Sequence, residues 1–111
     1  RDFCLSRGLG DVYKRQLVLK GAPTVIAVPD GRAWVNSTGN PGMAAGGMGD
    51  TLTGIIAAFI GQGLSAEEAA VAGVYLHGLA GDLLAEKMPV GYTAGDVARM
   101  IPLARKKVIE G

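Results

Sequence analysis

The 111-residue chain has one cysteine, Cys4, few aromatic residues (5%) and a net charge of only +1. A single cysteine excludes an intrachain disulfide and any multi-cysteine metal site. No apolar run reaches the roughly 18 residues that span a bilayer, and no signal-peptide pattern is visible, so a cytoplasmic location is expected. Basic residues run together only in Arg105-Lys106-Lys107, which reads as the complement of a helix C-terminus rather than a nucleic-acid footprint. Neither nucleic acid nor a membrane is expected as a partner, and a homo-oligomer is left open. No His, Asp and Glu set has metal-ligand spacing, so no resident metal site is expected. The length allows one modest core and not two domains.

Glycine, by contrast, is abundant at 18 residues, without a collagen-like period. It gathers in helix interiors and in one stretch, Thr38-Gly39-Asn40-Pro41-Gly42-Met43-Ala44-Ala45-Gly46-Gly47-Met48-Gly49-Asp50. Glycine turns through positive φ and lets a backbone approach a ligand closely. Free N–H groups at a following helix start make an anion site. A carboxylate at that mouth opposes phosphate binding unless it has a task, and taking the proton of an attacking hydroxyl is such a task. The alternative is that Asp50 is a plain helix N-cap. A cap requires no glycine cluster before it, so phosphoryl transfer is the expectation. Neither the P-loop pattern nor GxGxxG is met.

Around this loop, Leu17-Val18-Leu19-Lys20 reads as a buried strand ending in a cation. Thr24 to Val28, the turn signal Asp30-Gly31 and Ala33 to Asn36 read as a hairpin, with Trp34 packing it. Leu52, Ile55, Ile56, Phe59 and Ile60 mark one helix face, closed by Gly61 and Gly63. Ser65 and Glu68 form a capping box for a helix to about Lys87. Gly73, Gly78 and Gly81 inside that helix imply close packing on several sides, and His77 reads as a packed helix residue. Asp82 and Glu86 read as surface or capping partners. Thr93 and Asp96 suggest a third cap above Val97, Met100, Ile101 and Ala104, in a helix that Pro102 should kink or split.

Residues 1–16 place their apolar residues at neither the strand period of 2 nor the helix period of 3.6, and Gly10-Asp11-Val12-Tyr13-Lys14-Arg15-Gln16 resembles translated adapter sequence. They are expected to be a non-native or disordered leader, with the domain at 17–111.

Asn40-Pro41-Gly42-Met43-Ala44 followed by Gly46-Gly47-Met48-Gly49-Asp50 resembles the signature of the ADP-dependent NAD(P)H-hydrate dehydratases, within the ribokinase-like superfamily. Lys20-Gly21-Ala22-Pro23-Thr24 is similar to the family's upstream Lys-Gly-x-x-Thr element, and Val74 to Asp82 to its long helix. The resemblance implies the C-terminal portion of a three-layer α/β/α sandwich, because family domains are considerably longer and their first half has no counterpart. It implies an enzyme that repairs NAD(P)H hydrate: ADP phosphorylates the ring hydroxyl and phosphate then leaves.

Mg²⁺ is expected with the nucleotide. By the same resemblance Lys20, Gly21, Ala22, Pro23, Thr24 and Gly49 bind the nucleotide. Asp50 is the base and also contacts the hydrate. The backbone of Gly47, Met48 and Gly49 forms the anion hole. Two alternatives are a ribokinase-like ATP-dependent small-molecule kinase and a non-catalytic nucleotide-binding module. Vitamin-precursor kinases of the superfamily often carry Cys where Asp50 stands, which argues against the kinase.

Overall fold

The computed structural model describes residues 17–19, 24–28, 30–43, 46–88 and 90–110. Short β-branched and apolar runs form an antiparallel three-stranded sheet in the order β1 (Leu17–Leu19), β2 (Val25–Ala27), β3 (Ala33–Val35). Val18 faces Ile26, and Ile26 faces Trp34 across the two ladders. The expected hairpin joins β2 to β3. Val28 N–H donates to the Arg32 carbonyl at 3.0 Å, and Gly31 at φ 95° turns the chain between them.

Three helices follow: α1 (Met48–Gly61), α2 (Ala66–Ala85) and α3 (Ala94–Glu110). Gly63 at φ 103° ends α1, as the sequence implies. Ser65 and Glu68 form the capping box of α2 with both reciprocal bonds present. Thr93 and Asp96 do the same for α3: each backbone N–H donates to the other's side chain, at 2.9 and 3.1 Å.

The core divides in two. Val18 and Ile26 of the sheet pack on Leu52, Ile56, Ala69, Ala70 and Val74. Met48, Leu76, Ala80, Tyr92, Val97 and Ala104 form the second cluster, between the helices. Because α2 belongs to both, it is the central element, and its glycines explain how. A Cβ on Gly73 would stand 2.7 Å from Ile56 Cγ1 of α1, and one on Gly81 would stand 2.4 Å from Met43 Sδ. Trp34 is half-exposed, and its indole N–H donates to Glu67 at 2.8 Å, fastening the hairpin to the start of α2. Among the described residues no helix is long and apolar enough to cross a membrane.

Three expectations need correction. Pro102 does not split α3, which runs unbroken through it. Both Pro102 and Ala98, four residues earlier, are exposed, so the carbonyl that loses its donor lies on the solvent side. Helix α2 ends at Ala85, with Glu86 and Lys87 in a turn. Ile60, counted with the apolar face of α1, is 48% exposed, while Leu52 and Ile56 are buried.

Candidate functional site

The glycine stretch becomes a turn and a helix start. Gly47 adopts φ 87°, a left-handed conformation that side chains other than glycine rarely take, and it is the N-cap of α1 without any side-chain cap. The first bond of the helix runs from Thr51 N–H to the Gly47 carbonyl at 3.0 Å, and the Thr51 hydroxyl donates to the same oxygen at 3.1 Å. The N–H groups of Met48, Gly49 and Asp50 come before that bond, so no helix carbonyl takes them. Together with the helix dipole they face any anion placed at the turn.

Met48 anchors the turn. Its side chain is buried in the inter-helix cluster beside Tyr92, while Gly49 and Asp50 remain exposed. Asp50 therefore sits at the third helical position, not at the cap, and its side chain has no hydrogen bond or ion pair among the described residues. The plain-cap alternative does not hold. Asp50 thus lies in the first turn of α1, open to solvent and next to amides that have no partner carbonyl within the helix.

The lead-in to this turn is fixed more firmly than the sequence suggests. Thr38 hydroxyl donates to the Tyr75 carbonyl at 2.9 Å. Gly39 N–H donates to Asp82 Oδ2 at 3.0 Å, and Asn40 Nδ2 donates to Asp82 Oδ1 at 2.8 Å. Tyr92 hydroxyl donates to Asn40 Oδ1, which also accepts from Gly42 N–H at 3.0 Å within the 3₁₀ turn Pro41–Met43. Burial pushes the Tyr92 hydroxyl up from its ordinary pKa. Gly78 makes this approach of loop to helix feasible, since a Cβ there would meet Thr38 Oγ1 at 2.1 Å and the Gly39 nitrogen at 2.9 Å.

Asp82 is thus neither a surface nor a capping residue. It clamps a loop 42 residues away in the chain. The available signal was a carboxylate beside Gly81 and one turn from Gly78, on a helix otherwise small and apolar there.

Of the nucleotide-binding element, Lys20, Gly21, Ala22 and Pro23 lie outside the described residues. Thr24 is described and half-buried just before β2, where its carbonyl accepts from Asn36 N–H at 2.9 Å. The structure therefore brings together Gly47, Met48, Gly49 and Asp50. His77 is buried in α2. Among the described residues no three His, Cys, Asp or Glu side chains are grouped so as to hold a metal ion.

Comparison with known proteins gives one consistent match. The family model described as NAD(P)H-hydrate dehydratase matches residues 4–103, which takes in most of the segment expected to be a leader. A bifunctional NAD(P)H-hydrate repair enzyme of Thermofilum pendens is 52% identical over 103 residues, covering 92% of this chain and 20% of that protein. An ADP-dependent (S)-NAD(P)H-hydrate dehydratase of Neisseria meningitidis is 43% identical over 101 residues, covering 89% of this chain and 33% of its own length.

Among solved structures, an ADP/ATP-dependent NAD(P)H-hydrate dehydratase from Bacillus subtilis, co-crystallized with ATP/Mg²⁺, superposes with a TM-score of 0.79 at 39% identity. That match covers 83% of this chain and 34% of the other. A ribokinase-like superfamily protein from Enterococcus faecalis superposes with a TM-score of 0.67. The chain thus spans between 20% and 34% of the length of three of these proteins, one part of a ribokinase-like fold.

Proposed function

The chain belongs to the NAD(P)H-hydrate dehydratase family, and from that premise we propose that it carries the phosphoryl-transfer wall of an ADP-dependent enzyme that dehydrates NAD(P)H hydrate. Hydroxide is a poor leaving group and phosphate a good one, so phosphorylation divides one hard elimination into two easier steps. In the first, the hydrate's ring hydroxyl attacks the terminal phosphorus of ADP, its proton passes to the Asp50 carboxylate, and AMP departs. In the second, the ring C–O bond breaks, phosphate leaves with its electron pair, and the neighbouring ring carbon gives up a proton to restore the double bond. The amides of Met48, Gly49 and Asp50 meet the charge that develops on the transferring group.

The observation that carries this reading is the exposed Asp50 carboxylate in the first turn of α1, directly after the left-handed Gly47. Lys20 to Thr24 belong to the proposal as nucleotide contacts. A Mg²⁺ ion would be held by the nucleotide phosphates and waters, and the described residues group no three His, Cys, Asp or Glu side chains that would hold it by themselves. The ion would neutralise phosphate charge. The cytoplasmic location belongs to this proposal too.

The test is a chimera in which residues 17–110 replace their counterpart in the Neisseria meningitidis relative. It is supplied with NADH hydrate and ADP, then ATP, and recovery of the nicotinamide absorbance is followed. Asp50→Asn is expected to abolish turnover while nucleotide binding persists. Near-normal turnover by that variant would remove the base assignment.

A further inference from the structure

The loop entering the glycine turn is held by groups that the dehydration steps do not use. Asn40 is their centre, donating to Asp82 and accepting from Tyr92 and Gly42. Asp82 accepts with both oxygens, from Asn40 and from Gly39 N–H. Every polar side-chain atom of this pair therefore has a partner, across sequence separations of 42 and 52 residues. The segment that supplies Tyr92 also supplies Ala94, whose Cβ lies 3.2 Å from the position a Cβ on Gly47 would take. The start of α3 thus touches both ends of the loop, Asn40 at its entry and Gly47 at its exit.

Asn40 and Asp82 are only half-buried and Gly39 is exposed, so each of these bonds competes with water and adds about 1 kcal/mol of net stability. What a fully satisfied network does supply is one defined geometry. Phosphoryl transfer is sensitive to geometry, and a 1 Å misplacement costs on the order of a hundredfold in rate. We propose that Asp82, Asn40 and Tyr92 form a positioning clamp that sets the Gly47–Asp50 turn for phosphoryl transfer. The clamp rests on the dehydratase reading for what it positions and on the hydrogen bonds alone for its existence.

Its polarity is directional, which makes it testable. Gly39 N–H and Asn40 Nδ2 both need acceptors at position 82, while Asn40 Oδ1 receives two donors. Asn40→Asp sets two carboxylates face to face, and Asp82→Asn sets an amide against one of the two donors. The double variant restores a partner to every group. Its new carboxylate at position 40 accepts from Tyr92, Gly42 and the new amide at 82, whose carbonyl accepts from Gly39.

In the same chimera each single variant is expected to lower kcat about tenfold or more with a smaller change in KM for ADP, and the double to recover to within about threefold of the parent. A single variant that fails to fold is still informative, because the double must then fold. Singles at the parent kcat, or a double no better than the worse single, overturn the clamp. An inactive parent chimera refutes the dehydratase reading instead. Amide hydrogen exchange at Gly39 and Gly42 then decides, being slow in the parent and double and fast in the singles. Equal exchange in all four overturns the clamp.

Discussion

Two regions of this molecule meet solvent in different ways. On one side, the wall built from Thr38–Met43, α2 and the start of α3 is closed by side-chain hydrogen bonds and by glycines with no room for a methyl group. On the other, a groove of about 480 Å³ runs between β3, α2 and the end of α3, lined by Val35, Val71, Tyr75, Val108 and Ile109 among others. Several of these are widely exposed, Val35 at 66% and Ile109 at 71%. The first region is satisfied by its own residues. The second leaves apolar side chains open to solvent. The relatives from Thermofilum pendens and Neisseria meningitidis are about three to five times as long as this chain.

The sharpest way to break the contrast is to add one methyl group to the closed wall. Gly78→Ala would place a carbon 2.7 Å from the Thr38 carbonyl carbon and 2.9 Å from the Gly39 nitrogen, both backbone atoms. It is expected to cost about 3 kcal/mol in denaturant unfolding, by prising the loop from the helix. A loss near zero would mean that loop and helix are not in contact.

The open groove sets up the opposite experiment. Ile109→Gln in the chain alone is expected to stay within about 0.5 kcal/mol of the parent, as an exposed substitution does. In the chimera with the Neisseria meningitidis relative the same change should cost about 2 kcal/mol, the worth of one covered aliphatic side chain. Equal melting shifts in both settings would show the groove to be free surface.

Smaller again is the contrast between glycines. Gly54 has nothing within 4 Å of a Cβ and lies on the exposed side of α1. Gly54→Ala should therefore stabilise by about 0.8 kcal/mol, the intrinsic helix preference alone. The two alanine variants together separate a glycine kept for packing from one that packing does not require.

These differences also mark what could be read from the residues in order. The hairpin at Asp30-Gly31, both capping boxes and the buried character of α2 are local signals, complete within a few residues, and each is present. The Asp50 turn was legible for the same reason. Asp82 was misjudged because its partners Gly39 and Asn40 lie more than forty residues away, and no local pattern reports such a pair. Tyr92 was passed over on the same account. Pro102 misled because its effect depends on which side of α3 faces water, a property of tertiary packing.

The last comparison is between the folded and unfolded surroundings of the α3 cap carboxylate, Asp96. The Thr93 N–H bond holds the Asp96 carboxyl below the ordinary carboxylate range, with Arg99 adding to the effect at 2.8 Å. A carboxyl with a depressed folded pKa binds fewer protons folded than unfolded. Its contribution is therefore present above the unfolded value of about 3.9 and is lost as pH falls through the lower folded value. The unchanged chain should lose part of its thermal stability through that acid window, and Asp96→Asn should lose less across it. The Asp96 bonds are solvent-exposed, so the difference should shrink as salt is added. Parallel acid profiles for the parent and Asp96→Asn at low salt would show that the α3 cap adds no pH-dependent stability.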